Sequence, residues 1–183
     1  LQIDGNKATY TASYNYGINL YSSSNNTVTG NTCNNNYRGI YLSSSSNENT
    51  IAGNTYNNND SGIYLYSSSN NTVTGNTCNN NYRGIYLYSS SNENTIAGNT
   101  CNNNSYGGIY LNSSSNNTVT GNTCNNNDYG VYLDSSSNNT VTGNTCNNSS
   151  SGIYLSTSTN NTITGNTCIR GTGQTSDYTS SQY

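Results

Sequence analysis

The chain has 183 residues, a net charge of −3, only 6% charged residues, and no His, Pro, Phe, Met or Trp. Its basic residues are Lys7, Arg38, Arg83 and Arg170; these are too few for a phosphate-tracking groove, which argues against nucleic acid, and no apolar run approaches the roughly 18 residues of a membrane span. Leu, Ile and Val are scarce, while Asn, Ser, Thr, Gly and 19 Tyr fill the chain, so a thick core is excluded and a thin core repeated many times is not.

The sequence begins at Leu1 without a visible signal peptide and reads as a processed or excerpted segment. It is expected to form one domain over 1–183. Residues 1–13 show no amphipathic helix and make an N-terminal edge. Repeats follow over 14–170. Gly17 opens the first unit, Thr27, Val28 and Thr29 the next short piece, and Asn31, Thr32 and Cys33 a third. Residues 25–42, NNTVTGNTCNNNYRGIYL, return unchanged at 70–87. Three markers keep the same period of 22 to 23 residues. One is Cys, or Tyr56 in its place, at 33, 56, 78, 101, 124, 146 and 168. The second is Gly at 17, 39, 62, 84, 108, 130 and 152. The third is an aliphatic residue at 28, 51, 73, 96, 119, 141 and 163. Residues 171–183, GTGQTSDYTSSQY, lack an apolar anchor and read as a tail.

Within each unit T-V-T, N-T-C and G-I-Y-L alternate with period two and favour strands, and Asn, Ser and Gly between them favour turns. The prediction is an all-β chain: a single-stranded right-handed parallel β-helix (β-solenoid) of about seven coils, with three short strands per coil and neighbouring coils ~4.8 Å apart. Alternation points Val28, Ile51, Val73, Ile96, Val119, Val141 and Ile163 inward, together with the Ile40 and Leu42 columns.

The pattern N-N-T-[VI]-[TA]-G-N-T-x-N-N-N…G-I-Y-L-x-S-S-S, covering about 14–168, resembles the right-handed parallel β-helix repeats of the NosD/CASH type found in surface and secreted proteins of methanogenic archaea. The resemblance implies the fold. It leaves function open, because such repeats occur in sugar-processing enzymes, copper-maturation proteins and surface proteins without known activity.

Four columns carry candidate chemistry. Cys33, Cys78, Cys101, Cys124, Cys146 and Cys168 are expected as a reduced, buried ladder. Parallel Cβ vectors one coil apart exceed the usual ~3.8 Å of a disulfide, and a copper or zinc ladder is opposed by the absence of His and of any C-x-x-C pair. Asn31, Asn54, Asn76, Asn99, Asn122, Asn144 and Asn166 are expected to stack as an inward amide ladder. Tyr41, Tyr64, Tyr86, Tyr110, Tyr132 and Tyr154 make an outward ladder, with Tyr21, Tyr66 and Tyr88 beside it; it can stack on itself, contact another rod or hold sugar rings. The T-x-T columns resemble the ice-binding face of some β-helical antifreeze proteins, with Ala52 and Ala97 interrupting them. Asn25, Asn70, Asn116, Asn138 and Asn160 begin N-x-[ST] sequons at corners where glycans could project.

A catalytic reading finds little. Asp60 and Asp128 share a column three coils apart, and Glu48 and Glu93 lie two coils apart, so no carboxylate pair meets the ~5–9.5 Å that glycosidic chemistry requires. The reading is a non-catalytic extracellular or cell-surface structural protein without a cofactor. It would assemble with itself head to tail, through its open edges, into a surface filament or sheath. The alternative is a carbohydrate-binding surface module that takes glycans on the Tyr ladder.

Overall fold

The computed structural model describes residues 14–170; the expected N-terminal edge (1–13) and C-terminal tail (171–183) lie outside them. The long strands of the repeat are β1 (Tyr16–Tyr21), β3 (Arg38–Ser43), β5 (Ser61–Tyr66), β7 (Arg83–Tyr88), β9 (Gly107–Asn112), β11 (Tyr129–Asp134) and β13 (Ser151–Ser156). The short ones are β2 (Thr27–Thr29), β4 (Thr50–Ala52), β6 (Thr72–Thr74), β8 (Thr95–Ala97), β10 (Thr118–Thr120), β12 (Thr140–Thr142) and β14 (Thr162–Thr164). Each set forms one seven-stranded parallel sheet in coil order. The N-T-C piece is slighter than expected: it pairs through one residue per coil, in a file from Thr32 through Thr55 and Thr77 to Thr167.

The register brings like to like. Ile40 pairs with Ile63, then Ile85, Ile109, Val131 and Ile153. Val28 pairs with Ile51 and continues to Ile163. These columns, the Leu42 column and the cysteines make one continuous core. Each fully buried aliphatic side chain contributes about 1.5–3 kcal/mol, drawn from the coils directly above and below, as in any solenoid.

Polar ladders close the corners. Asn76 Nδ2 donates to Asn99 Oδ1 at 3.0 Å, and Asn99 Nδ2 to Asn122 Oδ1 at 3.0 Å. The Asn76 backbone N–H donates to the same Asn99 Oδ1. Asn99 Nδ2 also reaches the carbonyls of Val73 and Ala97. The bonds run on from Asn31 and Asn54 to Asn144 and Asn166. Two further amide ladders, one through Asn49, Asn71 and Asn94 and one through Asn81, Asn104 and Asn127, do the same at other corners. A buried hydroxyl file passes through Ser46, Ser68, Ser91 and Ser114. Thus the corner amides and carbonyls, which a buried turn would leave unpaired, are satisfied by side chains of adjacent coils.

Candidate functional site

The long-strand sheet carries the most organised outer face. Tyr41, Tyr64, Tyr86, Tyr110, Tyr132 and Tyr154 occupy one register position. Tyr64 and Tyr86 stack at 4.8 Å and 7°, Tyr86 and Tyr110 at 4.9 Å and 6°, and Tyr110 and Tyr132 at 4.7 Å and 16°. The stack is less open than the sequence suggested, since Tyr64 is 7% and Tyr110 6% exposed. Neighbouring rings cover it: Tyr66 and Tyr88 pack on one side, and Tyr82, Tyr106 and Tyr129 on the other. The surface that a partner would touch is therefore led by Tyr66, Tyr82, Tyr88 and Tyr154, all exposed. Burial lifts the phenol of Tyr110 to about 12, and those of Tyr64 and Tyr86 higher still.

The chain's two arginines in the strands lie on this face. The Arg38 guanidinium sits 4.0 Å from the Tyr41 ring centre and 4.1 Å from that of Tyr64. That of Arg83 sits 4.5 Å from Tyr82 and 4.7 Å from Tyr86. Cation–π attraction holds both. Between them, on the intervening coil, is Asp60. Its carboxyl is raised above the ordinary range by burial, with the nearby Arg83 and Arg38 pulling it back. Asp60 Oδ2 and Arg83 Nε are both buried without a hydrogen-bond partner. Sequence reading placed Asp60 in a column but missed its arginine neighbours.

The remaining candidates fall elsewhere. No disulfide joins the six cysteines; Cys33, Cys78, Cys101, Cys124 and Cys146 are buried, and Cys168, on the last described coil, is exposed rather than buried. The neighbouring thiols of the column and burial push Cys101, Cys124, Cys146 and Cys168 upward, holding them protonated at neutral pH. Asn25, Asn70, Asn116, Asn138 and Asn160 are exposed in left-handed turns. Asp134 accepts from the Tyr110 hydroxyl and from Asn112.

A family model described as periplasmic copper-binding protein (NosD) matches residues 1–183. The chain belongs to the NosD family. No curated protein matches this NosD-family chain. Among solved structures it is similar to a double mutant of the periplasmic alginate epimerase AlgG, with TM-score 0.72 and 20% identity over 84% of this chain and 47% of that one. Unsubstituted AlgG gives 0.68 and 22% over 85% and 46%. DFA-IIIase from Arthrobacter chlorophenolicus A6, in complex with GF2, gives 0.66 and 18% over 73% and 31%. The chain thus spans less than half the length of these structures, and at such identities the likeness is one of fold.

These likenesses correct one expectation. A uniform coil with scattered acids was read as non-catalytic, but an epimerase and DFA-IIIase share the coil. The structure also sets Asp60 beside Arg38 and Arg83, charged neighbours that the acid columns did not show. Absence of enzyme activity does not follow from this architecture.

The family's name brings copper, and the donor set here does not fit it. The NosD-family chain has no His and no Met. Its thiols lie one per coil in a file rather than converging, and they are held protonated. Among the described residues no three His, Cys, Asp or Glu side chains gather, whereas copper favours convergent imidazole or deprotonated sulfur. No helix among them is long and apolar enough to cross a membrane.

Proposed function

We propose that this chain is a carbohydrate-binding β-helix of the cell envelope, outside the cytoplasm, with the tyrosine face of the long-strand sheet as its binding surface. The observation that carries this is the unbroken ring stack from Tyr41 to Tyr132, with exposed Tyr82 and Tyr88 flanking Tyr86. A flat aromatic surface with polar hydroxyl edges offers sugar C–H faces a stacking partner at little entropic cost. The periplasmic setting named for the family and for AlgG supports the location. The test is retention of immobilised polysaccharides in affinity electrophoresis. Tyr82→Ala with Tyr88→Ala should weaken retention about tenfold, the worth of one or two lost stacking contacts; unchanged retention rejects the face.

A second reading, head-to-tail assembly into a surface filament or sheath, is favoured by the end coils. Ile18 and Val28 at one end and Leu155 and Ile163 at the other continue the core columns but are only partly buried. Electron microscopy of the concentrated protein should show long unbranched fibres with a ~4.8 Å axial repeat. Single short rods would reject assembly.

A further inference from the structure

Arg38 and Arg83 occupy the same register position of β3 and β7, with β5 between them. Their separation is therefore two coil steps, roughly 10 Å along the rod, a span of about two successive sugar rings. The chain as a whole is acidic and has only four basic residues, yet two of them meet here on the aromatic face. Asp60 lies on the coil between, so the cluster keeps one positive charge in excess.

Two polar atoms of this cluster are left unpaired. Arg83 Nε lacks an acceptor and Asp60 Oδ2 lacks a donor, although both are buried. Buried polar atoms in folded proteins nearly always find partners, and among the described side chains only the Tyr56 hydroxyl, inside the core, shares this condition. The two groups are close enough to influence each other electrostatically, yet they do not satisfy each other. Their needs are complementary: one takes an acceptor, the other a donor. The rings that hold Arg83, Tyr82 and Tyr86, present an apolar surface beside both.

We propose that Arg38, Asp60 and Arg83 form an anion-selective subsite of the tyrosine face, and that the sugars it takes are uronates in an acidic polysaccharide. This rests on the carbohydrate-binding reading of that face. A uronate brings the three required features in one ring. Its carboxylate accepts from an arginine fork, as carboxylates do with particular strength. Its hydroxyl donates to Asp60. Its C–H face lies on tyrosine. Arg83 lies on the rings of Tyr82 and Tyr86, and its spacing to Arg38 lets a second carboxylate on the same polymer be held.

The probe is polygalacturonate, compared with its fully methyl-esterified form, which keeps the backbone and loses the charge. Affinity electrophoresis of the full chain reads the ratio of the two affinities. The wild-type chain should favour the acid polymer by about tenfold or more, the worth of one charge-assisted hydrogen bond. Arg38→Gln with Arg83→Gln should bring the ratio to about one. Arg83→Lys keeps the charge and the stem but lacks Nε, and should lower the ratio as well. It reads the same subsite should the double variant fail to fold. Equal affinity of the wild type for both polymers overturns the uronate subsite while leaving sugar binding in place. A preference that survives Arg83→Lys and the double variant overturns the assignment to these residues. Retention of neither polymer overturns the tyrosine face itself, and the subsite with it.

Discussion

Gly84 and Cys101 face each other across the interior of one coil, and a β-carbon on Gly84 would lie 3.0 Å from that of Cys101. It would also collide with the backbone carbonyl of Gly108 on the next coil. The glycine column exists because the cysteine column packs directly on it. Gly84→Ala should therefore destabilise the rod by about 1–3 kcal/mol, the usual cost of overpacking, in urea denaturation. Gly121 is a glycine for a different reason, a φ of +61° with no atom near its missing side chain. Gly121→Asn should be nearly neutral, because Asn tolerates that conformation, whereas Gly121→Val should not.

The amide ladder makes each interior Asn a partner to two coils. Asn99 Oδ1 accepts two bonds from Asn76, and its Nδ2 supplies Asn122 and two carbonyls. Asn99→Ala strands several of these groups in the core. Each costs about 1–3 kcal/mol when left unpaired, so a loss of at least ~2 kcal/mol is expected in the same experiment. Asn166→Ala, at the partly exposed end of the ladder, should cost clearly less.

Tyr56 is the one large side chain in the cysteine column. It is fully buried, and its hydroxyl has no partner. Tyr56→Phe removes only that orphaned oxygen. The melting temperature should hold or rise, with up to about 1–3 kcal/mol regained. A marked fall would show that the hydroxyl is bonded after all.

Asp60 supplies a pH signature. Its folded-state pKa is raised above the ordinary value of 3.8, chiefly by burial. A carboxyl raised on folding contributes most below its unfolded pKa, and that contribution is lost as pH rises through the folded value. Asp60→Asn should therefore be more stable than the wild type at neutral pH, and the advantage should vanish below about pH 4. Melting curves of both proteins across that range check the sign. An advantage that grows on acidification would contradict it.

Much of the coil could be read from the letters because its core positions obey a strict period. Val28, Ile40 and Leu42 and their successors fall on columns that any two markers suffice to find, and the Asn31 amides follow from their place after Gly30. The arginine cluster was hidden by a break in alternation. Ile40 and Leu42 point inward and Tyr41 outward, so period two would turn Arg38 inward. Instead Gly39 and Ile40 both face the interior, Gly39 against Tyr56, and Arg38 emerges beside Tyr41 on the outer face. The crowding of Gly39 is the physical signal, and it shows only once the cysteine column is seen to press on it. The covering of Tyr64 and Tyr110 was likewise illegible, since it depends on how wide neighbouring rings spread.

The side-chain amides give the rod a polarity. In all three asparagine ladders the bonds between side-chain amides run one way, from an Nδ2 to the Oδ1 of the coil that follows in sequence, while several Nδ2 groups also reach back to a backbone carbonyl of the coil before. The dipoles add rather than cancel. Along each file the bonded Oδ1 atoms are therefore turned toward the earlier coil and the amides that bond them toward the later one. A further coil can extend these files only in one sense: its own leading oxygens must meet the trailing hydrogens. Two rods brought together by like ends would oppose acceptor to acceptor or donor to donor. Growth of the structure, by repeat duplication within the gene or by addition of another copy, is thereby restricted to one orientation.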